Sequence, residues 1–151
     1  MVDTLDKEAR SLVMSRVRST KNISTEIKLM GVFKELGVKG WRRGSKITGK
    51  PDFVFPKIKI AVFADGCFWH GHKCRDRIRI PKSNVDFWAT KIARNKQRDR
   101  EVSKDLRSKG WSVLRIRECE LKKKNRSLLL RKLKPLHPFL KTSLKQEQTR
   151  L

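Results

Sequence analysis

From Asn22 and Ser24, either of which can cap a helix, apolar Ile23, Ile27, Met30, Val32, Phe33 and Leu36 recur at helical spacing as far as Gly37. That periodicity predicts a helix between these punctuation points. A shorter helix, from about Lys7 to Arg18, precedes it, with Leu12, Val13 and Val17 set among basic residues. Trp41–Ser45 reads as a short strand, after which Gly49-Lys50-Pro51 turns the chain into Asp52–Pro56. Lys57–Asp65 follows, with Ile58, Ile60, Val62 and Ala64 on one parity and Phe63 on the other, as in a strand buried on both faces. Two neighbouring strands therefore carry Asp52 and Asp65.

Gly66–Lys82 is a loop crowded with Cys, His, aromatic and Arg residues. Ser83 and Asn84 can cap a long helix that ends near Lys109, where Gly110 stops it. Its inward stripe is Val85, Trp88, Ile92, Asn95, Asp99, Val102 and Leu106, apolar except for Asn95 and Asp99. Trp111–Arg117 reads as a further strand and Leu121–Leu136 as a basic amphipathic helix. The order is that of an α/β domain, with helices flanking a small central mixed β-sheet. It spans residues 1–136, and Pro135 and Pro138 lead into a basic tail over 137–151.

Composition narrows the partners. Lys and Arg number 39 against 15 Asp and Glu, a formal charge of +24, which calls for a polyanion. Hydrophobic residues make up 37% of the 151 positions and fall in periodic blocks, so the chain is a folded domain and not a disordered basic segment. Its longest apolar run, Ile60–Ala64, is far short of a membrane span, so no membrane partner is expected. The N-terminus lacks the basic start and apolar core of a secretory signal, which suggests a reducing, cytoplasmic setting. The three cysteines then need a reason other than disulfides.

Cys67, His72 and Cys74, joined by the distant Cys119, make a Cys₃His set of the kind that structural Zn²⁺ prefers. His70 lies equally near, and free core cysteines or a redox pair are the alternatives. Asp52 and Asp65 at adjacent strand ends form a carboxylate pair suited to Mg²⁺ and phosphodiester chemistry, the alternative being ordinary turn residues. His70 has the proton affinity of a general base, and Asp99, on an inward helical stripe, is placed to orient it. A salt bridge to arginine is the other use for Asp99, and helix-dipole complementarity the other use for Glu26. Phe68, Trp69 and Trp88 are suited to wedging into or stacking on bases, or to core packing. Arg75, Arg77, Arg79, Lys82 and the run Lys122–Arg126 can contact phosphates.

The segments Pro51-Asp52-Phe53-Val54, Phe63-Ala64-Asp65-Gly66-Cys67-Phe68-Trp69-His70, Phe87-Trp88, Asn95–Asp99 and Glu118-Cys119 together resemble the very short patch repair (Vsr) endonucleases. The likeness runs from about Asp3 to Leu136. It implies a restriction-endonuclease-like (PD-(D/E)XK) core with a structural zinc site. The implied reaction is an Mg²⁺-dependent nick 5′ of the thymine in a T:G mismatch, the lesion left by deamination of 5-methylcytosine. Position by position, Asp52 matches the essential metal-binding aspartate and Ala64 a residue giving its backbone oxygen to Mg²⁺. His70 matches the water-activating histidine, with Glu26 and Asp99 as supporting acids, and Cys67, His72, Cys74 and Cys119 match the zinc ligands. Phe68, Trp69 and Trp88 match an aromatic wedge, and Met14 a side chain entering from the opposite groove.

Two departures stand out. The best-known member has Thr-His where this chain has Ala64-Asp65, so that Asp65 restores the metal-binding carboxylate pair usual in nucleases. The lysine of the general nuclease motif would fall near Cys67 and is absent, leaving its role to His70 or water. The expected substrate is double-stranded DNA with a T:G mismatch, met by a monomer at the bacterial nucleoid, with mismatch-repair proteins as further partners. A restriction or defence nuclease acting on paired DNA and a zinc-stabilised, non-catalytic DNA-binding protein are the competing readings.

Overall fold

Strand β2 (Ile60–Asp65) is the centre of the molecule, because its side chains are apolar on both faces and each face has a helical layer to cover it. The computed structural model describes residues 6–16, 22–74 and 80–139. Within these, β1 (Phe53–Phe55) pairs antiparallel with β2, and β3 (Ser112–Arg117) pairs parallel with it, giving a mixed sheet in the order β1-β2-β3. This is the small mixed sheet expected from the sequence.

Strand alternation sorts the core into two clusters. Ile60 and Val62 face Leu29, Val32 and Phe33 of α2 (Lys28–Glu35) and Leu129 of α4 (Arg126–Lys132). Phe33 packs edge-on to Phe53 and Phe55, with ring centroids 5.2 and 5.9 Å apart. Truncating so buried a ring costs about 3–5 kcal/mol. On the opposite face, Ala61 and Phe63 meet Leu106 of the long helix α3 (Val85–Ser108), with Val102 and Trp111 beside them.

The predicted elements are largely present, with boundaries corrected by local chemistry. Helix α1 (Lys7–Arg16) forms but buries no residue, and the expected extension to Arg18 lies outside the described residues. Asn22 caps the next helix as expected, its Oδ1 accepting the Ser24 amide at 2.9 Å, but the first turn, Ile23–Ile27, is π-wound before α2 begins. Trp41–Ser45 is not a strand. Only Arg42 bridges to Val54, because Gly40 and Gly44 take positive φ on either side. The strand expected from Lys57 begins at Ile60, since Pro56–Ile58 forms a 3₁₀ turn and Lys59 adopts a left-handed conformation to reverse the chain.

Helix α3 matches its expected span, but Asn84 is left-handed with no capping bond from its side chain, and Val85 is exposed while Ser103 is buried. The predicted helix over Leu121–Leu136 breaks into 3₁₀ turns around the seven-residue α4. Asn125 causes one of these breaks by donating its side-chain amide to the Cys119 carbonyl at 2.7 Å. Leu136 is fully buried, and residues 140–151 of the expected tail lie outside the described structure.

Candidate active site

The C-terminal end of β2 opens into a cleft of about 1830 Å³. Alternation along the strand divides the chemistry of the cleft between its two sides. Ala64 points toward the α2 layer and Asp65 toward α3, so one strand end supplies two distinct clusters.

On the first side, the Ala64 amide donates to Asp52 Oδ2 at 2.7 Å, which fixes the carboxylate that precedes β1 against the end of β2. Burial pushes the Asp52 carboxyl up to about 6; the Ala64 amide opposes this, while hydrogen bonding to Glu26 and its charge add to it. Glu26 is itself buried and forms an ion pair with Arg43. Its place in the π turn is therefore not mere helix-dipole complementarity: that turn delivers a second carboxylate to Asp52. Two adjacent carboxylates, Glu26 buried and Asp52 half-buried, are hard oxygen donors suited to a divalent cation. The carboxylate hydrogen-bonded to Asp52 is Glu26, whereas Asp65, whose charge also acts on Asp52, groups with His70 and Asp99, their ligand atoms within 4.8 Å of one another.

On the second side, His70 Nδ1 lies 2.5 Å from Asp99 Oδ2, and His70 Nε2 lies 3.7 Å from Asp65 Oδ1. Burial alone would raise the Asp99 carboxyl, but the His70 hydrogen bond and the charges of His70, Arg115 and Arg98 hold it below the usual carboxylate range. Both oxygens of Asp65 are taken by Arg115 Nη1, at 3.0 and 2.9 Å. The reason Asp65 does not join Asp52 is its parity on β2, which turns it to the α3 face.

The His70 loop is pinned to α3. Asn95, one of the two polar interruptions of the helical stripe, donates its side-chain amide to the Trp69 carbonyl at 2.8 Å. Gly71 has φ +58° and packs so closely on α3 that a Cβ would come within 2.5 Å of Ile92 Cγ2. No larger residue fits there without displacing the loop.

Beyond that glycine, the ligand atoms of Cys67, His72, Cys74 and Cys119 lie within 4.8 Å of one another. His72 Nδ1 is 3.6 Å from both Cys67 Sγ and Cys119 Sγ, which singles out His72 rather than His70 as the histidine of this cluster. Burial lowers the His72 pKa, keeping the ring in its neutral, metal-binding form. Burial and the neighbouring thiols push Cys119 up to about 12, and burial also raises Cys67. A soft dication among the sulfurs would reverse that cost, so the donor set fits zinc.

The aromatic residues form one group. Phe68 lies 5.0 Å from Trp69 and 5.5 Å from Trp88, centroid to centroid. Phe68 and Trp69 are half-exposed at the cleft, whereas Trp88 is buried beneath them as their support. Exposed Phe87 extends the group, and Lys91 stands over the faces of Trp69 and Phe87. Met14 of α1 lines the same cleft. Arg75, Arg77 and Arg79 lie outside the described residues.

Sequence reasoning passed over Arg43 and Arg115. The signal for Arg115 was available: a cation in mid-strand, between Leu114 and Ile116, needs a buried counter-charge.

A cleft that sets a carboxylate pair and a His-Asp pair on either side of one strand end has the groups that phosphodiester hydrolysis needs, the chemistry of an endonuclease. A family model described as DNA mismatch endonuclease Vsr matches residues 2–76. The chain is 38% identical over 121 residues to a type II nicking enzyme of Xanthomonas oryzae pv. oryzae, covering 80% of this chain and 88% of that one. Against a type II nicking enzyme of Neisseria meningitidis serogroup A the identity is 39% over 124 residues, covering 82% and 87% of the two chains. Against the DNA mismatch endonuclease Vsr of Escherichia coli K12 it is 34% over 122 residues, covering 81% and 77%. The protein belongs to the Vsr family of endonucleases.

Proposed function

We propose that the enzyme nicks one strand of double-stranded DNA on the 5′ side of the thymine in a T:G mismatch, with Mg²⁺ as the catalytic metal. The observation that carries this reading is the division of the strand end into an Asp52–Glu26 pair and a His70–Asp99 pair facing one cleft. Asp52 holds the metal together with the Ala64 carbonyl, and Glu26 supplies further negative charge beside it. When bound, Mg²⁺ would supply Lewis-acid stabilisation of the developing phosphate charge. Asp99 holds His70 Nδ1, so that Nε2 faces the attacking water and takes its proton.

Zn²⁺ on Cys67, His72, Cys74 and Cys119 is structural. It ties the loop that carries His70 to the turn after β3, and so fixes the base relative to the sheet. Phe68 and Trp69 enter the mismatch as a wedge supported by Trp88, and Met14 approaches from the other groove. A monomer over residues 1–136 suffices for a single nick, with residues 137–151 as a basic tail. The setting is the bacterial cytoplasm at the nucleoid, where mismatch-repair proteins are available as partners.

The test is nicking of end-labelled duplexes with Mg²⁺, T:G-mismatched against fully paired, with Asp52→Ala as the blank. A nick 5′ of the mismatched T, absent from the blank, supports the proposal. Equal cutting of paired duplex supports a restriction or defence role instead.

A further inference from the structure

Arg115 is in register with Phe63, so β3 directs it onto the α3 face of the sheet. Its guanidinium lies 4.3 Å from the centroid of the Phe63 ring. Nη1 bonds both oxygens of Asp65 and comes within 3.3 Å of Asp99 Oδ1, while Nε reaches Ser103 Oγ at 3.4 Å. An arginine meant for a phosphate keeps its fork open, but this one spends its donors inside the protein.

The same two carboxylates flank His70. Asp99 is bonded to Nδ1, whereas Asp65 stops 3.7 Å from Nε2, beyond hydrogen-bond reach. Asp65 is nearly buried, and deprived of Arg115 it would be an unpaired charge seeking the nearest donor. That donor is the imidazole itself. An Asp65 carboxylate moved onto Nε2 would occupy the side of the ring that faces the cleft and shut the attacking water out.

We propose that Arg115 is a positioning residue of the nicking reaction: by binding both oxygens of Asp65 it holds that carboxylate off His70 Nε2, which makes Asp65 a counter-ion of Arg115 and not a metal ligand. The inference rests on the role of His70 proposed above.

The experiment compares full-length wild type, Arg115→Met, Asp65→Ala, the double variant and His70→Ala in single-turnover nicking at saturating Mg²⁺ and T:G duplex. Arg115→Met should lower the rate constant about 30-fold or more, with DNA affinity held within about threefold. Removing Asp65 as well should restore the rate about tenfold over Arg115→Met, a suppression that a purely structural role would not produce. Arg115→Gln, which removes the charge but keeps a polar side chain, replaces Arg115→Met if the latter melts before the assay temperature, with the same suppression expected.

Mn²⁺ titrations followed by electron paramagnetic resonance read the second half of the proposal without catalysis. Asp65→Ala should bind within about twofold of wild type, and Asp52→Asn about tenfold or more weakly. A double variant no faster than Arg115→Met, or Mn²⁺ affinity lost in Asp65→Ala as it is in Asp52→Asn, overturns the proposal alone. Nicking that survives His70→Ala overturns the role of His70 and this inference with it.

Discussion

Asp99 Oδ2 lies 2.5 Å from His70 Nδ1, although the two residues are 29 positions apart and belong to a helix and a loop. The bond selects which imidazole nitrogen faces the cleft. Asp99→Asn keeps the shape but removes the charge that fixes the ring, so kcat should fall about 100-fold or more while DNA affinity stays near wild type. Single-turnover nicking alongside a binding titration checks both halves, and equal losses in the two would remove the positioning role.

Asp52 carries the clearest pH signature. Its carboxyl sits at about 6 in the folded protein against an ordinary 3.8, so the folded state holds this proton more tightly than the unfolded chain does. A group raised in this way favours folding at low pH. Its contribution is present in full below about 4 and is lost as pH rises through about 6, an effect of about 3 kcal/mol. Asp52→Asn should therefore stabilise the metal-free protein by about 2–3 kcal/mol at pH 7.5 while abolishing nicking. Chemical denaturation at pH 5 and pH 7.5 checks the sign: the stabilisation should be clear at pH 7.5 and smaller at pH 5.

Protons and metal compete for the same carboxylate, which gives a kinetic counterpart. Below about pH 6 the Mg²⁺ concentration for half-maximal rate should climb about tenfold per pH unit. Glu26→Gln should flatten that climb, because burial next to Glu26 is part of what raises the Asp52 carboxyl. A half-saturation that does not change with pH would show that Asp52 is not the metal-binding carboxylate.

These contrasts also mark what the sequence could disclose. Periodicity placed α2, α3 and β2, because their apolar positions repeat over enough residues to be distinctive, and the polar interruptions Asn95 and Asp99 pointed to the loop that they hold. The cysteines of the Cys₃His cluster were legible from residue type, but which of His70 and His72 joins them was not. The partner of Asp52 was not, because the π turn that delivers Glu26 has no signature in apolar spacing. Nor was the fate of Asp65, which depends on strand parity and on an arginine that reaches it across the parallel β2–β3 pair. The Trp41–Ser45 strand failed where two positive-φ glycines overrode the β propensity of tryptophan.

The Cys₃His cluster yields a separable prediction, since His70 and His72 stand two positions apart in one loop and face different chemistry. His72→Ala should lose bound zinc and with it several kcal/mol of stability, about the scale of a structural site. His70→Ala should keep its zinc and its melting temperature but lose nicking. Metal analysis of the purified variants and thermal melting with and without a chelator read this directly. Zinc retained by His72→Ala but lost by His70→Ala would exchange the two assignments.

The aromatic group divides in the same way, by burial. Trp69 is half-exposed at the cleft beside Phe68, while Trp88 is 4% exposed beneath both. Trp69→Ala should therefore leave the fold intact and weaken binding to T:G duplex by about 1–3 kcal/mol, the scale of one base-aromatic stack. Trp88→Ala empties a packed position and should cost about 3–5 kcal/mol of stability before any effect on DNA is read. Trp88→Phe refills most of that space and drops a buried indole N–H that has no acceptor among the described residues. It should restore most of the lost stability, because removing an unsatisfied donor offsets the smaller ring. Duplex affinity then separates the two roles: a wild-type value in Trp88→Phe makes Trp88 a support for the wedge, and a loss as large as that of Trp69→Ala makes it part of the wedge itself.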